Sequence, residues 1–168
     1  VHIELRNLRA GDRECLADVD GGNGWNADPD LWANYTADQT SGRRLVVIAW
    51  EGERPVGYGT LVWEPGYERF RAASIPEISN LGVDIKVRRL GVATALIRYF
   101  EDRAREAGRT TIGLGVGLYA DYGPAQRLYF RLGYRPDGHG ITYADRPLAP
   151  GETVRLDDDL VLWLSKAL

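Results

Sequence analysis

A chain of 168 residues, 44% hydrophobic and 27% charged, matches one soluble α/β-sized domain with a full core, and no run approaches the roughly 20 apolar residues of a membrane span. A net charge of -3 gives nucleic acid no general attraction, and a single cysteine, Cys15, with two distant histidines, His2 and His139, excludes an internal disulfide and argues against a metal site. The amino terminus shows no basic stretch followed by an apolar signal core, so a cytoplasmic protein without membrane, nucleic-acid or metal partners is expected.

Ile3 to Leu8 alternates as a strand does, and Ala10-Gly11-Asp12 opens a short helical stretch toward Val19. Gly21, Gly22 and Gly24 break the chain before a second helix, expected over Pro29 to Gln39 with Asp28 as its N-cap and Leu31, Trp32 and Tyr35 on one face. Leu45 to Trp50 and Gly57 to Trp63 read as a hairpin joined by Glu51 to Pro55. A loop from Pro65 to Ala73 leads to a strand over Ile75 to Val83, a long helix stopped by Gly108, and a strand over Thr110 to Leu118. Pro124 starts another helix that carries Ala125, Leu128, Tyr129 and Leu132 and ends at Gly133; Tyr134 opens a strand. Pro136 to Gly151 reads as an irregular stretch, and Thr153 to Ser165 as the closing strand. The strand, helix, strand order from Ile75 to Leu118 implies a parallel crossover.

The most informative segment is Lys86 to Ala93. Ile78, Leu81, Val83 and Ile85 suit a strand, whereas Val92, Ala93, Leu96, Ile97, Phe100 and Ala104 recur at three- and four-residue intervals, so a helix begins at this basic turn. The first turn of a helix leaves amides without intrahelical partners and carries partial positive charge. Gly91 and Ala93 would let a phosphate approach those amides, and Arg88 and Arg89 would add fixed charge, which together fit a diphosphate. Solvated arginines at an ordinary helix start are the alternative.

In its order of elements and in two motifs the chain resembles the GNAT superfamily of N-acetyltransferases. Arg88-Arg89-Leu90-Gly91-Val92-Ala93 resembles that family's Q/R-x-x-G-x-G/A signature, and Ala125-Gln126-Arg127-Leu128-Tyr129-Phe130-Arg131-Leu132-Gly133-Tyr134 resembles its second, A-x-x-L-Y-x-x-x-G-F/Y. The resemblance covers essentially the whole chain. It implies a single domain over 1–168, with a mixed sheet of about seven strands, flanking helices and a splay between the fourth and fifth strands, and it implies acetyl-CoA as co-substrate.

The resemblance also implies roles. Backbone groups of Leu81 and Val83 would bond the pantetheine arm, Gly82 would ease a bulge there, and amides from Arg88 or Arg89 through Gly91, Val92, Ala93 and Thr94 would hold the pyrophosphate. The Val83 N–H would bond the thioester oxygen, Glu77 would act as general base, directly or through water, and Tyr129, by periodicity a core aromatic, would protonate the departing thiolate. A partly buried carboxyl at Glu77 would suit that task through a raised pKa. Many members carry an asparagine where this chain has Tyr122, so Tyr122 is a candidate cofactor contact through its backbone or ring.

On the acceptor side the resemblance points to the first two helices, with Trp25, Asp28 and Tyr35 as candidate contacts and Trp32 as core. Between Gly11 and Thr40 seven acids (Asp12, Glu14, Asp18, Asp20, Asp28, Asp30, Asp38) face one base, Arg13, leaving about -6. That excess favours an ammonium-bearing acceptor, although solvated helix faces explain most such acids equally well. The expected activity is direct acetyl transfer in a ternary complex to a primary amine on a small molecule or peptide. An acetyl-CoA-binding sensor or scaffold without transfer is the alternative, and a homodimer is left open. Cys15, flanked by Glu14 and Asp18, is a poor thiolate and a poor acetyl carrier; His139 reads as a solvated loop residue.

Overall fold

The computed structural model describes residues 2–16 and 30–168. In chain order its elements are β1 (Glu4–Asn7), α1 (Leu31–Thr40), β2 (Arg44–Glu51), β3 (Arg54–Val62), α2 (Glu68–Ala72), β4 (Glu77–Val83), α3 (Val92–Glu106), β5 (Thr111–Gly117), α4 (Gly123–Arg131), β6 (Arg135–Tyr143), β7 (Arg146–Pro147) and β8 (Leu160–Ala167), with 3-10 turns at Ala10–Asp12, Ile85–Val87 and Ala120–Tyr122. These are the elements of an α/β fold with a mixed sheet, eight strands where about seven are expected, the additional one being the two-residue β7. Two compact units divide the backbone, Val1–Val62 with Ser79–Phe100 and Trp63–Ile78 with Glu101–Leu168.

In the first unit β1, β2 and β3 pair antiparallel, with Leu5 opposite Ala49 and Val47 opposite Gly59. The run Val46, Val47, Ile48, Ala49 is wholly buried, as a strand covered on both faces requires. Leu31, Trp32 and Tyr35 of α1 join Val46, Ile48, Trp50 and Tyr58 in one cluster, each large aliphatic side chain contributing about 2 kcal/mol of burial. Gly57 and Gly59 are small by necessity: a Cβ on Gly57 would stand 2.9 Å from Val92 Cγ1, and one on Gly59 2.8 Å from the Phe100 ring.

In the second unit β4 begins parallel to β5, with Glu77 opposite Gly113 and Ile78 opposite Leu114. β5 then pairs antiparallel with β8, and β8 with β6. Tyr67 stacks on Trp163 with centroids 4.3 Å apart, Phe70 meets both rings edge-on, and Trp163 Nε1 donates to Thr142 Oγ1 at 2.8 Å.

Several boundaries depart from expectation for physical reasons. The segment read as a loop after Pro65 contains α2, too short to show periodicity but anchored by Phe70, whose ring fills the space above Gly113. The segment read as irregular after Pro136 is largely β6. Its register shifts between Pro136 and Ile141, so Gly138 and Gly140, both at positive φ, are absorbed in a bulge. The closing strand starts at Leu160, not Thr153, because Asp157 folds a turn: its Oδ1 accepts the Asp159 N–H and its carbonyl the Leu160 N–H. Residues 13–16 continue helically after Asp12. The expected reach to Val19 lies outside the described residues, as do the glycines at 21, 22 and 24 and the Asp28-Pro29 helix start.

Candidate functional site

The basic turn belongs to the first unit and is built from both flanks. The Asp84 side chain is 1% exposed, ion-pairs with Arg54 and accepts the Lys86 N–H at 2.9 Å, which caps the 3-10 turn Ile85–Val87. Val87 and Val92, 5% and 2% exposed, pin the two ends in the core, and Arg88, Arg89, Leu90 and Gly91 between them are exposed. Gly91 accepts the Ala95 N–H at 2.9 Å and so caps α3. The amides of Val92, Ala93 and Thr94 are therefore those that no helix carbonyl can reach. Gly91 has φ of 87° with nothing within 4 Å of a would-be Cβ, and Arg89 takes φ of 67°. Left-handed Arg89 costs about 1 kcal/mol, a strain that turns the chain sharply enough to expose the start of a fifteen-residue helix.

Upstream, the geometry of β4 decides which backbone groups are available. Asp84 N–H donates to Val56 O at 2.9 Å, and Thr60 Oγ1 of β3 donates to Ser79 O at 3.0 Å. These two positions are five apart, so a regular two-residue alternation would turn them to opposite sides. Asn80, at φ of 52°, reverses the alternation once. Gly82 then also faces β3, its oxygen 3.1 Å from a would-be Gly57 Cβ, and the backbone groups of Leu81 and Val83 point away from β3. The kink expected from Gly82 is thus made by Asn80, whose Nδ2 donates to Tyr35 Oη at 2.5 Å.

The second unit holds Glu77, Tyr122 and Tyr129. Glu77 is half-buried and registered with Gly113, so its side chain leaves the sheet on the face where the Phe70 ring covers Gly113. Tyr129 sits on α4 at 9% exposure, and burial alone pushes its hydroxyl up to about 12. The spacing of the second motif is a capping geometry. Gly133, at φ of 93°, donates to Phe130 O at 3.1 Å, and Tyr134 N–H reaches back to Tyr129 O at 3.0 Å, with the two tyrosine rings edge-on at 6.3 Å. The Tyr122 ring lies over Gly117, where a Cβ would be 2.3 Å from it. Its hydroxyl donates to Asp158 Oδ1 at 2.8 Å, and Tyr119 donates to the same oxygen. Tyr119, Leu156, Asp157 and Asp158 line an open recess of about 380 Å³.

A model of the acetyltransferase (GNAT) family matches residues 9–134. The chain belongs to the GNAT acetyltransferase family. Solved structures of the same fold include a GNAT-family protein of Desulfovibrio desulfuricans, with a TM-score of 0.75, 16% identity and 99% of each chain covered. A second is yncA of Salmonella typhimurium with its cofactor acetyl-CoA, at TM-score 0.69, 18% identity and 99% and 94% of the two chains. A third is an aminoglycoside 6'-N-acetyltransferase complexed with coenzyme A, at TM-score 0.66, 18% identity and 98% and 96% coverage. No curated protein is matched by the sequence.

The GNAT chain thus brings Leu81, Val83, Arg88, Arg89, Gly91, Val92, Ala93 and Thr94 onto one continuous stretch of its first unit. Tyr35 is 4% exposed and reaches that stretch through Asn80. Trp25 and Asp28 lie outside the described residues. Of the acids between Gly11 and Thr40, Asp12 is held by Arg6 at 2.8 and 3.0 Å, and Asp38 pairs with Arg43 at 2.8 Å and Arg44 at 3.4 Å. Local pairing therefore accounts for part of that charge. Cys15 packs half-buried against the first unit's core, and His139 is exposed on β6. Among the described residues no three His, Cys, Asp or Glu cluster as metal ligands, and no helix is long and apolar enough to cross a membrane.

Sequence reasoning missed Asp84, Arg54 and Asn80. An aspartate two residues before Lys86 is a recognisable cap signal, whereas the Arg54 and Tyr35 partnerships join positions 30 and 45 residues apart. The Tyr129 shift has a direct thermodynamic consequence. Its hydroxyl is harder to ionise in the native state, about 12, than the ordinary tyrosine value of 10.0. Its stabilisation is therefore complete below pH 10 and is lost as pH climbs toward 12, at about 1.4 kcal/mol per pH unit. Urea unfolding at pH 9, 10 and 11 should show a shallower alkaline loss in Tyr129→Phe than in the unaltered chain. Parallel losses in the two proteins would contradict the burial.

Proposed function

We propose that this GNAT chain is an N-acetyltransferase, its 168 residues acting as one domain, that transfers the acetyl group of acetyl-CoA directly to a primary amine on a small molecule or peptide in a ternary complex. One observation carries the reading. A strand edge with Leu81 and Val83 turned away from β3 runs directly into a basic, open helix start, which suits an extended arm ending in a diphosphate. The co-substrate supplies an acetyl group activated as a thioester.

In this reading the amides of Gly91, Val92, Ala93 and Thr94, with Arg88 and Arg89, hold the diphosphate, and backbone groups of Leu81 and Val83 hold the arm. The Val83 N–H donates to the oxygen that gains negative charge, where one preorganised donor is worth about 100-fold or more in rate. Glu77 takes the proton the amine must lose. Tyr129, neutral until about pH 12, returns a proton to the departing sulfur and remains competent across any ordinary assay pH. Tyr122 is a further contact to the co-substrate, and Trp25, Asp28 and Tyr35 belong to the acceptor side. The aminoglycoside 6'-N-acetyltransferase of the same fold acts on an amine, in keeping with that acceptor class.

Calorimetry with CoA and with ATP, followed by thiol-release assays over a panel of primary amines, tests the proposal. CoA binding with amine-stimulated release is expected. Binding without release on every amine would favour the sensor reading, and no binding would sink both. Gly91→Val should weaken CoA about tenfold or more, because a β-branched side chain resists φ of 87° and covers the amides.

A further inference from the structure

Asn80 is the hinge on which the proposed donor site turns, and it does not hold itself in place. A non-glycine residue at φ of 52° within a strand is unfavourable unless its surroundings fix it. Here the fixing group is Tyr35 on α1. Tyr35 is 4% exposed, edge-on to Trp32 with centroids 5.8 Å apart, and lies under the Arg44 guanidinium at 4.9 Å. Its hydroxyl accepts from Asn80 Nδ2 at 2.5 Å. Arg44 continues the grip by donating to Thr60 Oγ1 at 3.0 Å, and Thr60 donates to Ser79 O at 3.0 Å. Residues 79 and 80 are thus held from one polar network rooted in α1 and β2, and Asp38, which pairs with Arg44 at 3.4 Å, closes it.

Released from this network, β4 would regain ordinary alternation, and the Leu81 and Val83 backbone would rotate toward β3. We infer that Tyr35 is a positioning residue: through Asn80 its hydroxyl sets the direction of the Val83 N–H. This rests on the proposed role of that N–H and adds to it a named device on α1, the helix assigned to the acceptor side. Tyr35 touches no reacting atom in this role. It acts by deciding whether the donor is aimed.

The test separates aim from packing. Tyr35→Phe removes only the oxygen, and should lower kcat about tenfold and raise KM for acetyl-CoA by a smaller factor, because the arm loses its Leu81 and Val83 contacts while the diphosphate turn is untouched. Asn80→Val, which resists positive φ, should lose at least as much. Asn80→Gly adopts the conformation unaided and should stay within about twofold of the unaltered chain, and combined with Tyr35→Phe it should restore most of the lost kcat. Circular dichroism and thermal melts check that every variant folds. Unchanged kcat in Tyr35→Phe, or a loss that Asn80→Gly fails to rescue, overturns the inference while leaving the proposed function standing. An unaltered chain that neither binds acetyl-CoA nor releases thiol overturns both.

Discussion

Glu77→Gln is expected to lower kcat by about 100-fold or more and to leave CoA affinity within about threefold. The substitution keeps size and hydrogen-bonding reach but cannot accept a proton, so it isolates the one property the proposal assigns to this side chain. Glu77 is half-buried and registered with Gly113, on the sheet face where the Phe70 ring covers that glycine. Thiol-release kinetics at saturating acetyl-CoA and amine would measure the loss. A second signature is the pH profile: the acid limb present in the unaltered chain should vanish in the variant, since the group that must be ionised is gone. Tyr129→Phe should slow release independently, and it should leave the acid limb in place. Unchanged rates in both variants would remove the base and acid assignments together.

The parts of the fold that were legible in the sequence are those where one local rule decides. Gly108 and Gly133 end their helices at φ of 75° and 93°, and in each case the two backbone bonds of a left-handed cap follow, Arg109 to Ala104 O and Tyr134 to Tyr129 O among them. The basic turn was legible because the apolar period changes there from two to three and four. Asn80 was not, since an asparagine inside an apolar strand carries no pattern, and Gly82 next to it is the more obvious breaker. β6 was hidden by Pro136, Gly138 and Gly140, which read as punctuation but are tolerated in a bulge. Non-local partnerships were least legible. Glu101 stands next to the charged residues Asp102 and Arg103 of α3 and carries no local mark of burial, yet it is 4% exposed.

That buried carboxylate leads to the largest expected effect on stability. Glu101 Oε1 accepts from Lys166 Nζ at 2.8 Å and from the Tyr134 hydroxyl at 3.0 Å, and Arg105 stands 3.9 Å from the other oxygen. Burial, then the neighbouring Glu101, raises the Tyr134 pKa, so that hydroxyl stays a donor. Lys166→Met would keep the side-chain volume and remove the only cation within hydrogen-bond distance among the described residues. The carboxylate would remain out of water, which costs about 3 kcal/mol and lowers Tm by about 10 °C for a chain of this length. Arg105 is too far and too exposed to replace the lost contact in full, with 46% of its side chain in solvent. Glu101→Gln alone should cost about 1 kcal/mol, because the amide oxygen still accepts from Tyr134. Combining the two should restore part of the Lys166→Met loss, since the double variant buries no charge at all. The cycle therefore tests the stranded charge: if the double variant loses the two single effects added together, or more, the Lys166→Met loss does not come from leaving the Glu101 carboxylate unpaired.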